Sequence, residues 1–120
     1  MQKKILFVEK KVTPRQVFQK LLTSQGFSVK TSIGGATALD TAETWRPDLI
    51  LFELEKSHAD GVFFLNKYCR GGKPSVVIIM LGCPDAQSKI DKIYDLGADK
   101  YLLKNWLTQN VLLRLVKDLA

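Results

Sequence analysis

Charged residues stand directly behind three apolar runs, and their types set the chemistry this chain could attempt. Glu9 and Lys10 follow Ile5-Leu6-Phe7-Val8, Glu53 follows Leu49-Ile50-Leu51-Phe52, and Lys104 follows Tyr101-Leu102-Leu103. A fourth run, Val76–Leu81, is followed by Gly82, which offers no side chain. Gathered carboxylates can hold a hard dication, because Mg²⁺ is usually bound by one or two carboxylates with water and phosphate oxygens completing its shell. Here Lys10 stands where a second carboxylate would strengthen such a site. Glu9 and Glu53 against Lys10 and Lys104 sum to zero, which leaves little field to attract a dication. The four residues fit an ion-pair network, and Mg²⁺ binding is expected to be weak or absent.

Other chemistries fail on spacing. There is no GxxxxGK[ST] phosphate loop and no GxGxxG after the first run, where the turn reads Glu9-Lys10-Lys11-Val12-Thr13. No nucleophile elbow is present, and the lone His58 falls in a loop, where a solvated surface imidazole is expected. Cys69 and Cys83 form no CxxC pair, which excludes zinc and disulfide scaffolds.

The elements that must position these residues alternate from end to end. The runs at 5–8, 49–52 and 76–81 read as strands apolar on both faces, and Phe27, Val29 and Thr31 as a shorter outer strand. Between them lie helical patterns: Val17, Phe18, Leu21 and Leu22 behind a Thr13-Pro14 start; Ala38, Leu39, Ala42 and Trp45; and Val62, Leu65 and Cys69 from about Asp60 to Cys69. Ile90, Ile93 and Leu96 follow Asp85 as a cap. Val111, Leu112, Leu115, Val116 and Leu119 follow Thr108 as a cap. Five β-α units with doubly buried strands predict an α/β fold. It is a doubly wound (βα)5 sandwich of flavodoxin-like type, with a five-stranded parallel sheet in order 2-1-3-4-5. In such sheets function gathers at the carboxyl ends of the strands, where Glu9, Glu53, Gly82 and Lys104 stand.

The chain has 120 residues, one domain's worth, and is 46% hydrophobic, too apolar for a disordered chain. Its longest apolar stretch, Val76–Leu81, is far too short to span a bilayer. A cytoplasmic protein with no membrane attachment is expected. The formal net charge of +6 suggests an acidic partner or nucleic acid. The basic residues are scattered and no nucleic-acid motif accompanies them, so direct nucleic-acid binding is kept only as an alternative.

The motifs KKILFVE (3–9), RPDLILFE (46–53), DG (60–61), VVIIMLG (76–82) and GADKYLLKNW (97–106), taken in this order, resemble a response regulator receiver domain. This is the phosphoacceptor module of two-component signalling. The resemblance runs from about Lys3 to Leu119 and implies a single receiver-like domain over 1–120. It also implies a site: an acidic pair for Mg²⁺ after the first strand, a phosphoacceptor Asp after the third, a Thr or Ser after the fourth, and a Lys after the fifth. This chain matches the Lys with Lys104 but has Glu9 and Lys10 for the acidic pair, Glu53 for the phosphoacceptor and Gly82 for the hydroxyl. The family pattern sums to −2 at these positions and this chain to zero. The extra methylene of Glu53 moves its carboxylate by roughly 1.5 Å, enough to spoil in-line attack.

A pseudo-receiver is therefore expected: the family fold without ordinary phosphorylation and without its enzymatic activity, acting by protein–protein interaction. The alternative is a working receiver that uses Glu53 or Glu55 as acceptor. Glu53 either imitates a phosphorylated Asp or simply pairs with Lys104. Tyr101 matches the family's aromatic switch position, and with Trp106 it marks a switch or interaction surface. The resemblance places the partner, or a second copy, on the fourth helix, fifth strand and fifth helix.

Overall fold

Three runs rich in Val, Ile, Leu and Phe form the inner strands of the computed structural model, which describes residues 2–120. The elements are β1 (Lys4–Val8), α1 (Val12–Ser24), β2 (Ser28–Ser32), α2 (Gly35–Trp45), β3 (Leu49–Glu53), α3 (Ala59–Tyr68), β4 (Val77–Gly82), α4 (Gln87–Asp95), β5 (Lys100–Leu103), a 3₁₀ turn (Lys104–Trp106) and α5 (Gln109–Leu119). All strand pairs are parallel, in the order β2-β1-β3-β4-β5, as the sequence predicts. The alternating, half-polar β2 lies at one edge because only one of its flanks is covered. β1, β3 and β4 are inside, where both faces are buried.

Side chains alternate across the sheet and build two cores. Ile5, Phe7, Leu49, Leu51, Ile79 and Leu81 meet Phe18 and Leu22 of α1 and Leu112 and Val116 of α5. Leu6, Val8, Ile50, Phe52, Ile78 and Met80 meet α2, α3 and α4 through Ala38, Ala42, Phe64, Leu65 and Ile93.

Three local expectations need correction. α1 starts one residue before Thr13, with Lys11 as its uncapped N-terminal flank, so Pro14 is its third residue. That is tolerated because the first-turn N–H groups lack helical partners anyway. Asp85 does not cap α4, whose flank is Ala86 and which has no side-chain cap. Val111 is exposed, because α5 meets the sheet mainly through Leu112 and Val116. Thr108 does cap α5, accepting from the Val111 N–H at 3.2 Å.

The DG motif has a packing role. Asp60 accepts a hydrogen bond from the Gly35 N–H at 2.8 Å and so caps α2 from α3. A Cβ on Gly35 would stand 2.8 Å from the Asp60 carboxylate and carbonyl, so only glycine allows the two helices to meet there.

Candidate functional site

The parallel topology brings the predicted residues to one edge. Glu9 is the residue after β1, Glu53 ends β3, Gly82 ends β4 and Lys104 follows β5. Arg15 fixes the β1–α1 turn by donating to the Glu9 and Lys10 carbonyls at 3.0 and 3.2 Å. One of the basic residues at this rim is thus committed to backbone.

Glu53 and Lys104 form an ion pair at 3.3 Å, and Lys104 also donates to the Leu54 carbonyl at 3.2 Å. Glu9 is buried beside them, 4% exposed. Burial, then the Glu53 charge, pushes its carboxyl from 4.5 up to about 7, against the pull of the Lys11 N–H and Lys104. Lys10 does not join this network, contrary to the ion-pair arrangement expected above. It reaches outward to Glu55 at 3.4 Å, with both side chains largely in water. Among the described residues, no group of three His, Cys, Asp or Glu side chains is placed to hold a metal ion.

The other half of the edge is built around a missing side chain. A Cβ on Gly82 would lie 2.3 Å from the Tyr101 hydroxyl, so the phenol occupies the space where residue 82 would place a side chain. The Tyr101 hydroxyl donates to the Cys83 carbonyl at 2.6 Å and lies 3.1 Å from His58 Nε2. Burial, with Asp85 next in effect, pushes the Tyr101 phenol up and keeps it protonated. The surface role expected for His58 is overturned. The residue is 5% exposed, because its backbone adopts φ 59° and turns the ring under the β3–α3 loop. Asp85, freed from capping, stands 3.5 Å from His58 Nε2 and 3.8 Å from Lys89. Trp106 is 80% exposed on the 3₁₀ turn. Cys69 and Cys83 are free thiols, and burial pushes Cys69 up.

The family model of the response regulator receiver domain matches residues 5–117. The chain belongs to the response regulator receiver family. This receiver is 34% identical over 113 residues to the alkaline phosphatase synthesis transcriptional regulatory protein PhoP of Bacillus subtilis, covering 92% of this chain and 46% of that protein. It is 38% identical over 92 residues to the nitrate/nitrite response regulator protein NarP of Escherichia coli, covering 76% and 42%. The receiver thus spans about half the length of these curated relatives or less. Its structure superposes on the chemotaxis response regulator CheY4 of Vibrio cholerae with a TM-score of 0.85, at 23% identity and over 100% of both chains. A CheY-like receiver protein from Methanospirillum hungatei gives 0.85 at 22% identity, covering 98% and 93%. At these identities the likeness speaks to the fold alone.

Within the receiver fold, the sequence pattern places Glu9, Glu53, Gly82 and Lys104 at one edge, where the structure has them, but reads His58 as a surface residue. Its one available signal was position: a histidine between a strand-end acid and the DG motif, in a loop too short to keep every side chain in water.

Proposed function

We propose that this receiver signals without phosphorylation, as a protein-interaction module of two-component type, and that it has lost the family's phosphotransfer activity. The observation that carries this reading is the Tyr101 hydroxyl filling the space beside Gly82, where the family's sensing hydroxyl would stand. Glu53 strengthens it, because its carboxylate already holds Lys104. The lysine is thus occupied before any phosphoryl group arrives. Mg²⁺ binding is weak or absent on this reading, because Lys10 replaces a ligand and Glu9 holds its proton near neutral pH.

The output surface is the edge formed by α4, β5 and α5. β5 is an edge strand, and around it Trp106, Val111 and Tyr94 leave apolar area in water. A protein partner or a second copy fits there better than a nucleic acid. Aromatic and apolar side chains dominate buried interface centres, whereas nucleic-acid sites need clustered cations.

The test is incubation with Mg²⁺ and a small acyl-phosphate donor, followed by intact mass and by Trp106 fluorescence. Unchanged mass and unchanged emission are expected. A stable phosphoryl adduct on Glu53 or Glu55 would overturn the reading.

A further inference from the structure

His58 ties the β3–α3 loop to the β5 edge through its side chain. Its backbone belongs to the β3–α3 loop: the His58 N–H donates to the Glu55 carbonyl at 3.1 Å, and its carbonyl accepts from Val62 at 2.9 Å. Its ring belongs to the β5 edge, 5.7 Å from the Tyr101 ring centroid and tilted by 55°. The conformation is costly in two ways. A non-glycine residue stands at φ 59°, and Nδ1 is buried without a hydrogen-bond partner. A solvated imidazole on an extended loop would avoid both, so the inward ring must be held by what it contacts.

The hydrogen-bond directions follow from chemistry. A carbonyl only accepts, so the Tyr101 hydrogen goes to Cys83 O at 2.6 Å. The Tyr101 oxygen can then only accept from His58, which makes Nε2 the protonated nitrogen. The same N–H faces the Asp85 carboxylate at 3.5 Å, which favours this tautomer. Nδ1 takes no part in these contacts.

We infer that His58 is the positioning residue that holds Tyr101 inward, tying the ring to the loop that follows Glu53, and that Gly82 is the gap that admits it. Residue 82 carries no side chain through which the crevice could address Tyr101. The route runs instead from Lys104 to the Leu54 carbonyl, along residues 54–58, and through His58 to the phenol. The α4–β5–α5 edge thereby takes one fixed shape set by the loop. The lock deepens the interaction reading above and rests on it for its purpose, yet it can be tested with no partner and no phosphodonor. Its failure and the failure of that reading are therefore separate results.

Hydroxyl-radical footprinting with peptide-level mass spectrometry reads Tyr68, Tyr94 and Tyr101 in one experiment. In the wild type, Tyr94 reacts fast, while Tyr68 and Tyr101, each 9% exposed, react slowly. Removing one neutral hydrogen bond raises an open population by roughly two- to tenfold. His58→Ala is expected to raise Tyr101 reactivity by that factor and leave Tyr68 unchanged. His58→Gln, whose amide can donate from nearly the same place, is expected to keep Tyr101 within about twofold of wild type. Gly82→Ala is expected to expel the ring and bring Tyr101 to the reactivity of Tyr94. The inference is overturned if Tyr101 stays as protected as in the wild type in His58→Ala or Gly82→Ala. It is also overturned if His58→Gln opens Tyr101 as much as alanine does. Tyr68 and Tyr101 rising together would show a general loosening and reduce His58 to core packing.

Discussion

At the Lys104 end of the crevice, charges face one another across partly wet space. At the Tyr101 end, a phenol, an imidazole and a carbonyl close over a gap left by a glycine. Both ends are anchored to the same few residues after β3. They differ in what holds them. The first depends on charge balance, so pH and the loss of one ion should move it strongly. The second depends on shape and hydrogen-bond geometry, so it should respond above all to added volume. A receiver with both ends in these states has its lysine occupied and its tyrosine housed before any signal arrives.

The hardest blow to the charged end is Lys104→Met. It removes the cation paired with Glu53 beside Glu9 and frees the Leu54 carbonyl. Removing one partner of a fully buried pair costs about 3–5 kcal/mol. Here the two side chains are 30% and 25% exposed, so water takes part of the load and roughly 2–3 kcal/mol is expected at pH 8. Urea denaturation should show a smaller loss at pH 6, where Glu9 holds its proton and the surviving charge is halved. An equal loss at both pH values would mean that Glu9 and Lys104 do not interact.

Glu9 gives the next effect. Its folded value is about 7 and its ordinary value 4.5, so between these the folded chain holds a proton that the unfolded chain has released. Stability from this group is complete below about pH 4.5, falls as pH rises toward 7, and is gone above it. The span corresponds to roughly 3 kcal/mol. Glu9→Gln keeps the shape and cannot ionise. It should be more stable than the wild type at pH 8 and should flatten the slope between pH 5 and 7. Parallel stability curves for the two proteins would break the comparison at its charged end.

These two predictions rest on residues whose positions the sequence discloses, and the reason is periodicity. Strands apolar on both faces must be central and parallel, and a parallel sheet sends every strand's carboxyl end to one edge. That argument alone puts Glu9, Glu53, Gly82 and Lys104 together. It says nothing of loop dihedrals. Lys10 swings out to Glu55 and His58 turns in at φ 59° because of backbone choices within short turns, which leave no periodic trace. Asp85 looked like a cap because its type suits one, but the ring of His58 offered it a partner. The glycine was legible as a loss of hydroxyl. That it also makes room for Tyr101 is a fact of packing across two strands and needed the coordinates.

At the tyrosine end, Tyr101→Phe removes the hydroxyl but leaves the ring. The Cys83 carbonyl and the His58 N–H each lose a partner, for a cost of roughly 1–2 kcal/mol. Asp85 limits the damage, since it stands close enough to take the His58 N–H. The contrast with Glu9→Gln lies in independence: by urea denaturation at pH 8, the Tyr101→Phe loss should be the same in the wild type and in the Glu9→Gln background. A loss that depended on the residue at position 9 would show that the two ends are one unit.

The smallest effect should come from Lys10 and Glu55, which look like a second ion pair of the site. Their 3.4 Å separation is close to the 3.3 Å of Glu53 and Lys104, so distance alone would rank the pairs as equals. Exposure separates them: 76% and 60% against 30% and 25%. Water and salt screen the outer pair, and holding two mobile side chains together costs entropy. Lys10→Ala and Glu55→Ala, alone or together, should change stability by less than about 0.5 kcal/mol, and a double-mutant cycle should give a coupling near zero at physiological salt. A coupling above about 1 kcal/mol would place Lys10 inside the charged network after all. The line between the crevice and its rim would then have to be drawn one residue further out.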